Sequence, residues 1–239
     1  MGASHDTVAE TIAGWIVSAR FPVGSALPIE PEICAELGVS RTTVREALKT
    51  LAAKGLVRVK PRTGTRVQPP DCWNLLDPKV VEWRLKAPIS PALVSDLVEL
   101  RLLIEPEAAA LAAERRDEAD VARLTEAYRR MAAAVDGKGS YIEADLAFHQ
   151  AIFAAAHNQL LSQLTSAVGA VLRLSFELSV LSMESARAAL PDHRAVLDAI
   201  AARRPEAARG LLVKIITSAR GDIEEGLARA KRQGEAIPA

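Results

Sequence analysis

The stretch SRTTVREALKTLAAKG, Ser40 to Gly55, carries the signals of a short helix with one apolar and one cationic face. Ser40 is a good N-cap, since its hydroxyl can accept from a first-turn N–H, and Gly55 stands where a left-handed residue would end the helix. Val44, Ala47, Leu48 and Leu51 recur at helical spacing and give the helix a side to bury. Arg41, Arg45 and Lys49 form a ridge on the other side, with Thr42 and Thr43 beside it in the first turn. Such a ridge fits a major groove: Arg can bond guanine O6 and N7 together, while hydroxyls and free first-turn N–H groups suit phosphate oxygens. A solvated surface helix would carry similar charges, so the surroundings decide.

Upstream, Ile29, Ile33 and Leu37 mark a helix that Gly38-Val39 joins to Ser40 by a tight turn, which is helix-turn-helix spacing. Downstream, Leu56 to Val59 and Thr65 to Val67 read as two short strands around a Lys-Pro-Arg-Thr-Gly turn, a basic wing. Between Arg41 and Arg66 there are eight Lys or Arg and one acid, Glu46, a balance that implies a phosphate partner. Val8, Ile12, Trp15 and Ile16 give a first helix, Thr7 to Ala19, a face to pack beneath the motif, with His5 in a leader before it.

The basic excess is local. The first 70 residues hold nine basic and six acidic side chains, and the rest of the 239-residue chain holds 21 and 24. This predicts a small DNA reader at 1–70, a linker with a short helix at 71–89, and a larger domain at 90–239. In the linker, Asp77 can cap a helix with Pro78 at its first position, and Trp73 and Trp83 are packing anchors. No stretch reaches the roughly 20 apolar residues of a membrane span, and no targeting leader is visible, so a cytoplasmic protein is expected. Cys34 and Cys72 are too few and too far apart for a disulfide framework.

From Ser90 onward the pattern predicts six helices, near 91–115, 117–136, 139–156, 158–183, 185–203 and 205–232, and an all-α antiparallel bundle. Asp145 and His149 lie four apart, so both point from one helix face, and His193 could join them from another helix to hold a divalent metal. A hydrogen-bonded Asp–His pair is the plainer alternative. Arg101 sits among Leu97, Leu100, Leu103 and Ile104, where a buried guanidinium wants an anion, although Glu105 offers it a helix-surface ion pair. His157 and Asn158 read as a helix end and the next cap.

With these residues in view, the run PVGSALPIEPEICAELGVSRTTVREALKTLAAKGLVRVKPRTGTRV resembles the winged helix-turn-helix of GntR-type bacterial transcription regulators. The resemblance implies DNA contacts from Arg41, Thr42, Thr43 and Arg45, with Lys49 on the same ridge, and from Arg62 and Gly64 in the wing. Pro31 follows Glu30 where the family often has Arg, so that one contact is lost or moved. Residues 90–230 are similar to the FCD effector domain of the FadR branch, whose pocket binds a metal through Asp-x-x-x-His and two later His, with an Arg for an effector carboxylate. Asp145, His149, His193 and Arg101 match, while Ile215 stands where the last His is usual. Two states stay open: a three-ligand site, with zinc the first expectation, and a metal-free pocket. Trp73-Asn-Leu-Leu-Asp-Pro with Trp83 is similar to the sugar-acid, galactonate-repressor-like group, although an aromatic wall expected near Val180 is replaced by Leu178 to Met183.

The resulting expectation is a dimeric, palindrome-reading repressor that releases operator DNA when a small carboxylate such as an aldonate binds, since two related readers supply the specificity one lacks. An enzyme is not expected, because no His-Glu-x-x-His or comparable acid–base pairing accompanies the metal ligands.

Overall fold

Ser40 is extended, at φ −71° and ψ 155°, and its Oγ accepts from Thr43 N at 3.1 Å, so the helix after it starts with a first-turn donor satisfied. In the computed structural model the described residues are 4–60, 64–86, 91–163, 169, 173 and 183–233, side chains at 60, 85 and 226–233 excepted. They form two compact units, 1–88 and 89–238 apart from the last residue.

The first unit runs α1 (His5–Val17), α2 (Glu30–Leu37), α3 (Arg41–Ala53), β1 (Val57–Lys60), β2 (Gly64–Val67) and α4 (Pro78–Leu85). The first helix starts earlier than the apolar spacing indicates: Ser4 accepts from Thr7 N, so His5 lies in α1 rather than in a leader. Pro31 falls in the first turn of α2, where its missing N–H costs nothing, and Glu32 accepts from Ile29 N at 3.1 Å. The apolar sides of the helices meet: Ile12, Ile33, Val44, Ala47 and Leu51 have no exposed surface. Each Leu, Ile or Val so buried contributes roughly 1.5–3 kcal/mol.

Gly55 turns the chain out of α3 at φ +81°, and a Cβ there would lie 2.0 Å from Cys72 O. Only glycine fits. β1 and β2 pair antiparallel with Val57 opposite Val67 and Lys60 opposite Gly64, giving the wing, whose tip at 61–63 falls outside the described residues. Asp77 caps α4 by accepting from Lys79 N at 2.9 Å and also pairs with Lys54. Trp73, Val80 and Trp83 belong to the core of this first unit.

The second unit is all helix among the described residues: α5 (Pro91–Arg115), α6 (Glu118–Val135), α7 (Tyr141–Ala155), α8 (Met183–Ala201) and α9 (Pro205–Gln233). Asn158 caps a further helical turn by accepting from Leu160 and Leu161 N, and His157 before it has φ +46°. The helix expected at 158–183 is otherwise outside the described residues but for 159–163, 169 and 173, as is the stretch around Val180 and the tail from 234. Ala108, Ala109, Ala112 and Ala113 are fully buried on α5, where small side chains let α9 and its neighbours approach closely. No helix among the described residues is long and apolar enough to cross a membrane.

Candidate functional site

Arg41, Thr42, Arg45 and Lys49 are exposed along α3, and Thr43 is half-buried beside Ser40, the two hydroxyls 2.8 Å apart. Arg45 is not loose: its Nη2 donates to Glu30 Oε2 at 3.1 Å and its Nε to Oε1 at 3.4 Å, so a carboxylate on α2 orients it and favours its charged form. Lys49 pairs with Glu46 one turn back at 2.9 Å. Gly64 opens β2 in an exposed position at φ +79°, while Arg62 lies outside the described residues. Arg66 serves the wing itself, its Nη1 donating to Gly24 O at 2.8 Å.

The bundle buries five ionisable side chains together. Arg101 and Glu105 on α5, Asp145 and His149 on α7, and His193 on α8 are each 5 % exposed or less. Asp145 Oδ1 is 3.1 Å from His193 Nε2 and 3.5 Å from His149 Nε2. The three donor atoms lie within 4.8 Å of one another, and neither Asp145 Oδ1 nor His193 Nε2 has an aligned hydrogen bond, so they face a common point. Two imidazoles and a carboxylate converging in this way fit a divalent metal of nitrogen and oxygen preference. His193 Nδ1 is 2.9 Å from Ala189 O, which fixes a proton on that nitrogen and turns Nε2 toward the cluster.

Glu105 was legible only as a surface partner for Arg101. Both are 1 % exposed, and Glu105 Oε1 accepts from Arg101 Nε at 2.6 Å. Its second oxygen is 2.5 Å from His149 Nδ1, so the carboxylate stands between the guanidinium and a candidate ligand. Burial opposes the charge on Glu105, but Arg101 and then His149 outweigh it and hold the carboxyl at about 2. Asp145 follows the same logic: burial raises it, His193, His149 and Arg101 lower it more, and it stays ionised. Burial lowers His193, and Asp145 more than restores it. Burial, with Asp145 adding to it, pushes the Tyr141 phenol well up, so Tyr141 faces the cluster neutral.

A cavity of about 50 Å³ adjoins these groups, lined also by Ser185, Ile215, Ser218 and Asp222. Ile215 is 8 % exposed and offers no donor atom. Asp222 follows Ile215 by seven residues and therefore shares its helix face, which the spacing of apolar residues alone does not reveal. Burial and the nearby Glu225 raise its carboxyl. A second trio, Asp117, Asp120 and His157, has a structural task instead. Asp120 accepts from Asp117 N in the capping box of α6, pairs with Arg123, and is 2.7 Å from His157 Nε2.

Comparison with known proteins places both units. Residues 4–67 match the model of bacterial regulatory proteins of the gntR family, and residues 96–218 match the FCD domain. The galactonate operon transcriptional repressor of Escherichia coli K12 is 34 % identical over 221 residues, 92 % of this chain and 96 % of that protein. The Glc operon transcriptional activator of the same strain is 32 % identical over 161 residues, 65 % of this chain and 62 % of that one. A solved structure of Lar, from Listeria monocytogenes, shares the fold, with a TM-score of 0.65 at 17 % identity across 94 % of this chain and 98 % of that one. A winged reader with a basic recognition helix, followed by a helical FCD bundle around a buried Asp–His cluster, makes the chain a DNA-binding transcription regulator of the gntR family.

Proposed function

We propose that this regulator is a dimeric repressor of sugar-acid catabolism, released from a palindromic operator when a hydroxy-carboxylate such as an aldonate enters the bundle cavity. Arg41, Thr42, Thr43, Arg45 and Lys49, with Gly64 and Arg62 of the wing, read the DNA; Arg101, Asp145, His149 and His193 receive the effector. The observation that carries the reading is the burial of an Asp–His–His trio against one cavity beside the Arg101–Glu105 pair, a concentration of ionisable groups of the kind that ligand sites use.

Zinc is the metal that suits the donor set: Asp145, His149 and His193 would hold it, and it would supply a Lewis-acidic seat for ligand oxygens. Asp145 provides the negative charge, and Ala189 O holds the His193 ring in the ligating tautomer. About 50 Å³ admits the carboxylate and α-hydroxyl end of a ligand, with Ser185, Ser218 and Asp222 along the wall. A ligand that binds one arrangement of the protein better than another shifts the population toward it, which is what release from DNA requires. Similarity to the galactonate repressor supports the direction of control and the class of acid.

The test is operator binding by fluorescence anisotropy, with metal-replete and chelated protein, against aldonates, lactate, other short hydroxy acids and acyl-CoA thioesters. Release by an aldonate, lost in Arg101→Ala while operator affinity is kept, is the expected result. Release by acyl-CoA alone, or unchanged release in Arg101→Ala, would refute the reading.

A further inference from the structure

Arg101 is the cation of the cavity, yet it does not present its charge alone. Glu105, one turn further along α5, engages Nε at 2.6 Å and Nη2 at 3.4 Å, so the guanidinium is largely neutralised within its own helix. The remaining buried carboxylate is Asp145, and Asp222 adds another on the cavity wall. Glu105 thus occupies the guanidinium that a carboxylate entering the cavity would seek, and the ionised Asp145 faces the same space. An incoming carboxylate therefore gains little from Arg101 until a dication is present.

The other oxygen of Glu105 does a second thing. It lies 2.5 Å from His149 Nδ1, a separation at which two unprotonated acceptors would repel strongly. Since the carboxylate is an acceptor only, the proton belongs on Nδ1, which leaves Nε2 with its lone pair toward Asp145 and His193. A carboxylate behind a ligating imidazole fixes its tautomer and raises its donor strength. His193 reaches the same state through the Ala189 carbonyl, so both imidazoles are set from behind by different devices.

Resting on the reading of this cavity as a carboxylate site, we infer that Glu105 is a positioning residue that orients His149 for a metal and cancels Arg101, making carboxylate capture conditional on a bound divalent cation. Its two oxygens face Arg101 and His149, and it acts through them.

The experiment titrates full-length wild type and Glu105→Gln with zinc against a chromophoric chelator, and then, after chelation, with gluconate and lactate. Glu105→Gln keeps the shape and loses the charge. Its zinc affinity should fall by about 10- to 100-fold, and its chelated form should bind a carboxylate that chelated wild type does not. Unchanged zinc affinity in the variant, or chelated wild type binding these acids as well as replete protein, would overturn the inference. If the replete wild type binds no carboxylate at all, the sugar-acid reading falls, while the zinc titration still decides the role of Glu105. Where Glu105→Gln does not fold, the imidazole 15N shifts of chelated wild type decide: a proton on His149 Nδ1 supports the inference, and a proton on Nε2 refutes it. A merely structural Glu105 would alter the melting temperature and neither of these readouts.

Discussion

Glu30 on α2 holds Arg45 on α3 by a two-pronged contact of 3.1 and 3.4 Å, so the first helix of the motif aims a side chain of the second. Arg45→Ala is expected to cut operator affinity by about 10- to 100-fold while non-operator DNA loses much less, as follows when a base contact is removed. Both partners are exposed enough that the melting temperature should stay put. Anisotropy titrations across salt concentrations check it: an equal loss on every sequence, with a salt slope smaller by about one, would make Arg45 a phosphate contact instead.

His193→Ala should abolish the thermal response to zinc. At a free concentration about 100 times the dissociation constant, wild type gains roughly 2.7 kcal/mol, visible by differential scanning fluorimetry and reversed by chelation. An equal shift in the variant would place the ion elsewhere.

Gly55→Ala puts a methyl 2.0 Å from the Cys72 carbonyl and asks alanine to hold φ +81°. The expected loss exceeds about 1 kcal/mol in urea unfolding of the full chain. A variant as stable as wild type would mean that the chain between β2 and α4 moves away freely.

Asp77 gives the first unit an acid sensitivity. Burial raises its carboxyl, but Lys54 and the N–H groups of Lys79 and Val80 lower it further, so its folded pKa lies below the unfolded value of about 3.9. A depressed carboxyl stabilises the fold above the unfolded value, and that stabilisation is lost as pH falls through the folded one. The stability gap between wild type and Asp77→Asn should therefore be widest near neutrality and close below about pH 4. A gap that stayed constant from pH 7 to pH 3 would show that the carboxylate charge contributes nothing.

Local chemistry was the legible part of this sequence. Ser40, Asp77-Pro78 and Asn158 announce helix starts through side chains that satisfy their own first turns, and the structure uses each of them so. Ser4 is as good a signal, and it starts α1 two residues before the point the apolar spacing indicates. Asp145 and His149 were paired by helix geometry alone. Contacts between helices were harder to read, because periodicity says which face is buried and not what it meets. Glu105 and His149 are 44 residues apart, and nothing in either segment names the other. Asp222 is hidden for the same reason, since the surface it lines is a cavity rather than a neighbour in sequence.

Ile215 closes one corner of the cavity with hydrocarbon. Under the proposed function an ion there would sit on three side chains rather than four and would be held less firmly, so that its occupancy would follow supply. A switch that needs both that ion and a sugar acid answers to the product of two concentrations. It would perform a logical conjunction, opening its operon only when food and metal arrive together.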